Sequence, residues 1–80
     1  MTTDIRTAAT GLAALSICES LMLAMGDLKL LSPHDAVGVI ADAASAHRGA
    51  GASPHDVALH AEVTAILDRI IAGGNSVRRA

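Results

Sequence analysis

Residues 4–25 form one long apolar segment with the sequence DIRTAATGLAALSICESLMLAM. Alanine, the best helix former, is frequent in it. Thr3 can serve as the N-cap, and Asp4 suits the positive N-terminal end of a helix dipole. Gly26 follows the segment and is typical of the residue that ends a helix. The sequence therefore predicts a first helix over residues 4–25.

The apolar surface of this predicted helix is wider than one side of a small bundle needs. Its polar positions fall along one narrow stripe, namely Arg6, Thr10, Ser16, Ser20 and Asp27. The helix is therefore either the buried centre of the fold or shared with a second subunit. We predict a homodimer or higher homo-oligomer, or docking onto a partner helix. The predicted interface residues are Leu12, Ala14, Leu15, Cys18, Leu21, Met22 and Met25.

The tetrapeptide Ser-Pro-His-Asp occurs twice, at residues 32–35 and 53–56, and it is typical of a helix start. A serine at the N-cap accepts a hydrogen bond from the backbone N–H two or three residues later. Proline suits the first helical position, and aspartate favours the positive end of the helix dipole. The two copies predict helices over residues 33–48 and 54–72. The apolar seam of the third helix comprises Leu59, Val63, Ile66, Leu67, Ile70 and Ile71.

The absence of Phe, Tyr and Trp from the 80 residues bears on the fold class. β-Sandwiches and barrels are rich in β-branched and aromatic residues, whereas this chain is rich in alanine. We therefore predict an all-α single domain over residues 1–80, a small three-helix bundle or helical array. Two shorter helices pack on the long one, and dimerisation completes the fold, because a chain this short is only marginally stable by itself. We expect the leucines of the connection 26–32 to fold back over the helix ends, and residues 75–80 to fray.

The charge of the chain argues against several classes of partner. The formal net charge is −2 and only six residues are Lys or Arg, so no basic face exists to bind DNA or RNA. Glu19 interrupts the apolar segment and Asp4 offsets Arg6, which disfavours a membrane span or an export signal. Cys18 is the only cysteine, which fits a reducing compartment. We therefore expect a cytoplasmic protein that binds neither nucleic acid nor membrane.

The histidines are the residues best suited to metal chemistry in this chain. A zinc site needs three or four ligands, and two ligands on one helix face need a spacing of three or four residues. His55 and His60 are five residues apart, whereas Asp56 and His60 are four apart and supply only two ligands. We expect no metal site and no cofactor, and we expect His47 and His60 to be hydrogen-bonded to a neighbouring helix or subunit. The candidate ligands for a metal are His34, His55, Asp56 and His60.

Cys18 and Glu19 each allow two interpretations. Cys18 lies on the apolar side of the first helix and is typical of a small hydrophobic residue, with a redox or nucleophilic role as the alternative. Glu19 lies either at the edge of the apolar seam or is a buried carboxylate paired with Arg48, Arg69 or a histidine. No second acid stands at catalytic spacing from Glu19, and no glycine-rich phosphate loop is present, so we expect no enzyme.

Two functions follow from these observations. The first is a non-catalytic helical module that associates with itself, with the first helices packing against each other near Ala14, Cys18 and Leu21. The second is a small metal- or ligand-binding sensor that uses the histidines. We favour the first, because the apolar surface of residues 5–25 exceeds what an 80-residue domain requires.

Overall fold

The computed structural model describes residues 2–73 as three α-helices joined by two short connections. Helix α1 covers Thr2–Asp27, α2 covers Pro33–His47 and α3 covers Pro54–Gly73. The predicted all-α fold with three packed helices is therefore confirmed, and the predicted bounds of α2 and α3 are right to within one residue. The tail that we expected to fray, residues 75–80, lies outside the described residues.

Helix α1 extends past Gly26, where the sequence predicted its end, and stops at Asp27. Lys29 takes the left-handed conformation with a φ of 60°, a role that glycine usually fills. The Lys29 N–H donates to the Gly26 carbonyl at 3.0 Å, and the Leu30 N–H donates to the Met25 carbonyl at 2.9 Å. These two bonds form a Schellman motif. The helix therefore ends two residues, or about half a turn, beyond the predicted terminus, because the capping bonds select its end.

Both copies of Ser-Pro-His-Asp cap a helix as the sequence predicted. The Ser32 Oγ accepts a hydrogen bond from the Asp35 N–H at 3.1 Å, and the Ser53 Oγ accepts one from the Asp56 N–H at 3.2 Å. In each copy the proline opens the helix. Local capping therefore accounts for three of the four residues in each repeat.

Helices α2 and α3 form a hairpin that contains most of the buried residues. Ala36, Ile40 and Ala44 lie one turn apart on α2 and are all buried. Met22 of α1 joins Ala36 and Ile40 in one cluster. The half-buried side chains packed around this cluster are Leu31, Leu67, Ile70 and Ile71. The core of the described chain is therefore small and lies mainly at the open end of the hairpin.

Helix α1 contributes little to this core. Met22 is its one buried side chain within residues 4–27, and all of residues 4–14 are exposed. At 1.5 Å per residue α1 is about 39 Å long, close to the 40 Å longest extent of the molecule. Of the two alternatives that the sequence left for α1, the buried centre of the fold is therefore wrong.

The connection from α1 to α2 exposes two of its three leucines. Leu28 and Leu30 are each 69% exposed, whereas Leu31 packs against the Met22 cluster. The expectation that all three fold back over the helix ends is therefore wrong for two of them. The chain reverses at Lys29, and this tight reversal returns only Leu31 to the core.

The connection between α2 and α3 has glycine at two positions with a positive φ. Gly49 has a φ of 75° and Gly51 a φ of 119°, both in the region that other residues rarely adopt. A Cβ on Gly51 would lie 2.6 Å from the backbone nitrogen of Val57, whereas one on Gly49 would meet nothing within 4 Å. Gly51 therefore allows the connection to pass directly against the first turn of α3.

Candidate functional site

A large exposed apolar surface lies on α1, whose residues fall into three stripes about 120° apart for a turn of 3.6 residues. The polar stripe carries Arg6, Thr10, Ser16, Ser20 and Asp27, and the exposed Ile17 lies on the same side. The small-residue stripe consists of Thr7, Gly11, Ala14, Cys18 and Leu21, at alternating spacings of four and three. The large-residue stripe consists of Ile5, Ala8, Leu12 and Leu15, and it continues through Glu19 to Met22.

The large-residue stripe is packed at one end and bare at the other. Met22 is buried and Leu15 is half-buried, but Leu12 is 65% exposed and Ile5 is 71% exposed. Exposed apolar residues that continue a packed face are typical of an interaction surface. The first half of α1 is therefore the candidate functional site.

The predicted interface residues separate into an exposed group and a packed group. The exposed ones, which are available to a partner, are Leu12, Ala14, Cys18 and Leu21. Leu15 and Met25 are half-buried, and Met22 lies in the core of its own chain. Met22 therefore anchors α1 to α2 and offers no free contact surface, because Ala36 and Ile40 already cover it.

Glu19 lies half-buried on the packed face of α1, in line with Leu15 and Met22. Arg48, one of its predicted partners, forms an ion pair with Asp68, with Nη2 and Oδ1 3.3 Å apart. Both side chains of that pair are about half exposed, so the pair adds little to stability. Within residues 4–73 no ion pair involves Glu19, so the predicted pairing with Arg48, Arg69 or a histidine is not formed within the chain.

The candidate metal ligands do not come together. His34 and His55 are exposed on different helices, each in the first turn. Within the described residues, no three His, Cys, Asp or Glu side chains are placed to hold a metal ion. Two of the predicted ligands, Asp56 and His60, lie on one face of α3. The side chain of His60 is hydrogen-bonded to a residue that was not among the predicted ligands.

That residue is His47, at the end of α2. The two Nδ1 atoms are 2.8 Å apart, and the rings stack with centroids 5.0 Å apart. One nitrogen must donate and the other accept, so the contact holds a single hydrogen. Thr64, one turn further along α3, is buried and donates to the His60 carbonyl at 3.0 Å. The expected hydrogen bonds of His47 and His60 to a neighbouring helix are confirmed. The sequence did not predict that these two histidines would be each other's partner.

We expect the two histidines to be energetically coupled. Replacing either His47 or His60 with leucine leaves the other part-buried ring without its partner, which costs about 1–2 kcal/mol of unfolding free energy. The double variant removes both polar groups, so its loss should be about 1 kcal/mol smaller than the sum of the single losses. Urea unfolding, followed by circular dichroism, measures the unfolding free energies of the native chain, the two single variants and the double variant. His55→Leu, on the exposed first turn of α3, is the control. Additive losses would contradict the coupling.

A shallow groove of about 280 Å³ lies beside the connection from α1 to α2. Its lining residues are Gly26, Lys29, Leu31, Ser32 and Pro33. Lys29 is the one residue in this lining with an ionisable side chain, so the groove offers no acid–base pair. The groove therefore does not compete with α1 as a candidate site.

The segment Asp4–Asp27 of α1 is long enough and apolar enough to cross a membrane, with a mean hydropathy of 1.6. This finding rests on length and composition alone, and signal sequences and the core helices of soluble proteins share it. Neither a protein-family model nor a curated protein nor a solved structure matches the chain at a significant level. The function is therefore inferred from the surface of α1.

Proposed function

We propose that this protein is a non-catalytic helical module that forms a homodimer through α1. The observation that carries the proposal is the exposure of every side chain in residues 4–14, Ile5 and Leu12 among them. A helix segment of this length is only marginally stable in water without tertiary packing. In the proposed homodimer, the second chain covers the apolar stripes of this segment and supplies that packing.

The polar stripe of α1 favours a protein partner over lipid. A helix that spans a bilayer meets hydrocarbon around its whole circumference, whereas Arg6, Thr10 and Ser16 follow one side of α1. Glu19, near the middle of the segment, would cost about 2.5–3.5 kcal/mol at the centre of a bilayer. In a dimer the polar stripe faces water while the other two stripes are covered. The proposal therefore keeps the protein in an aqueous, reducing compartment such as the cytoplasm.

The small-residue stripe suits close packing of two α1 helices. Gly11, Ala14 and Cys18 have short side chains, and short side chains allow helix axes to approach to about 8 Å. Two copies related by a two-fold axis present the same stripe to each other. We place the contact near Ala14 and Cys18, both of which are exposed.

Two neighbouring alanines provide a matched test of this interface. Ala14 lies on the small-residue stripe and Ala13 lies on the polar side, and both are exposed. Ala14→Arg places a bulky charge in the packed contact, so we expect dimerisation to weaken about 100-fold, or about 2.8 kcal/mol. Ala13→Arg should leave the dimer intact. Light scattering coupled to gel filtration measures the mass.

The native chain should elute at about 16 kDa, twice its monomer mass of 8.1 kDa, at tens of micromolar. Circular dichroism checks that both arginine variants keep their helicity, which is expected because neither alanine is buried. A native mass of 8.1 kDa under these conditions would contradict the proposal. Equal loss of the dimer in both variants would contradict the assignment to the small-residue stripe.

A further inference from the structure

Helix α3 carries an exposed apolar stripe of its own. Leu59, Val63 and Ile66 follow one another at spacings of four and three residues, and Leu59 and Ile66 are exposed. This α3 stripe lies about a quarter of a turn from His60 and Leu67, which face α2. Within the described chain, no Cα of α1 lies within 8 Å of a Cα of α3. The α3 stripe is therefore not covered by α1 of the same chain.

The bare end of the large-residue stripe matches the α3 stripe in length and spacing. Ile5 and Leu12 are seven residues apart, with Ala8 between them at spacings of three and four. Ile66, Val63 and Leu59 repeat these spacings when α3 runs antiparallel to α1. Seven residues of helix are about 10 Å long on either side. Antiparallel packing thus sets Leu12 against Leu59, Ile5 against Ile66, and the small Ala8 against Val63.

The α1 helix of one chain cannot supply this contact to its own α3 as the molecule is folded. Burial of Met22 against Ala36 and Ile40 fixes the second half of α1 on α2. The Schellman motif at Lys29 fixes the direction in which α1 leaves the hairpin. The first half of α1 is therefore held away from its own α3 and stays available to a second copy.

We propose that the large-residue stripe of one chain packs antiparallel on the α3 stripe of a second copy, and that the second copy returns the same contact. This inference rests on the proposed self-association through α1 and names its second contact surface. The small-residue stripe alone buries little area, whereas a stable dimer buries roughly 1,200 Å² or more. Two reciprocal contacts add eight large side chains, namely both copies of Ile5, Leu12, Leu59 and Ile66.

A complementation experiment tests the reciprocal contact. Leu12→Lys and Leu59→Glu each damage both contacts of their own homodimer, so each variant should dimerise about 100-fold more weakly than the native chain. A one-to-one mixture can form a heterodimer with one unaltered contact and one Lys–Glu pair. The mixture should therefore regain the 16 kDa mass under conditions where each variant alone is monomeric. Thr10→Lys on the polar stripe and Ala65→Glu outside the α3 stripe are the matched controls.

Disulfide trapping provides a readout that does not depend on charged variants. In a chain carrying Cys18→Ala, Leu12→Cys and Leu59→Cys, oxidation should give a covalent dimer, because the two positions face each other across the contact. The same chain with Ala65→Cys in place of Leu59→Cys should remain mostly unlinked. Both chains should keep the native helices, because the altered side chains are exposed. An unchanged circular dichroism spectrum checks this.

The outcomes separate this inference from the proposed function. A native chain that is monomeric would overturn both. A native dimer that is lost in Ala14→Arg but keeps its full affinity in Leu59→Glu would overturn only the α3 contact. A mixture of Leu12→Lys and Leu59→Glu that stays monomeric would do the same, because an α1–α1 interface alone gains nothing from the mixing.

Discussion

Gly51→Ala should destabilise the chain by about 3 kcal/mol or more. The new Cβ would lie 2.6 Å from the Val57 nitrogen and 2.8 Å from the Asp56 carbonyl carbon, and both are backbone atoms of α3 that cannot rotate away. The φ of 119° adds strain, since residues with a Cβ rarely adopt it. The first turn of α3 must move, or the connection must change its path. Either change disturbs the end of the hairpin where His47 contacts His60.

Two other glycines calibrate the effect of Gly51→Ala. Gly49 has a positive φ but open space around its Cβ position, so Gly49→Ala should cost about 1 kcal/mol from backbone strain alone. Gly38 lies within α2 and also has open space, so Gly38→Ala should stabilise the helix by about 0.5–1 kcal/mol. A loss for Gly51→Ala no larger than that for Gly49→Ala would show that the close approach to α3 is unimportant.

Ile40→Ala should cost about 2–4 kcal/mol of unfolding free energy. Ile40 is buried in one cluster with Met22 and Ala36, and Leu31, Leu67, Ile70 and Ile71 pack around this cluster. Truncation removes apolar contacts and leaves a cavity at the place where α1, α2 and α3 meet. Since a small domain has only about 5–10 kcal/mol of stability in total, we expect partial unfolding near physiological temperature.

The neighbouring residue supplies the control for Ile40→Ala. Val39 is on the same helix and is about half exposed, so Val39→Ala should change stability by less than about 0.5 kcal/mol. The chain has no Trp or Tyr, so unfolding must be followed by far-ultraviolet circular dichroism at a fixed protein concentration. Equal losses in the two variants would show that the cluster around Met22 does not carry the stability of the fold.

The starts of α2 and α3 could be predicted because their causes are local. Ser32 and Ser53 each lie three residues from the N–H that they cap, and no other part of the chain is needed for that bond. The end of α1 was not predictable in the same way. Gly26 is the residue that usually ends a helix, yet the capping bonds of Lys29 and Leu30 extend the helix beyond it.

The candidate site was only partly predictable. The excess of apolar surface on α1 is visible in the spacing of its polar residues, and the exposure of Leu12, Ala14, Cys18 and Leu21 agrees with it. The contact of His47 with His60 joins two helices across 13 residues. No periodicity within one helix predicts such a contact, because it depends on how the hairpin closes. The exposed α3 stripe was hidden for a similar reason, since its residues belonged to one broad predicted seam.

Local interactions along the chain are sufficient to make it helical and to set where α2 and α3 begin. Those features follow from backbone propensity and from hydrogen bonds between residues close in the chain. Which side of each helix is covered depends instead on how the three helices pack together. Met22 and Leu31 hold α1 to the core at one end, and α2 buries Ala36, Ile40 and Ala44 in its hairpin with α3. Burial depends on distances between helices, so the bare half of α1 became visible only once all three were placed together.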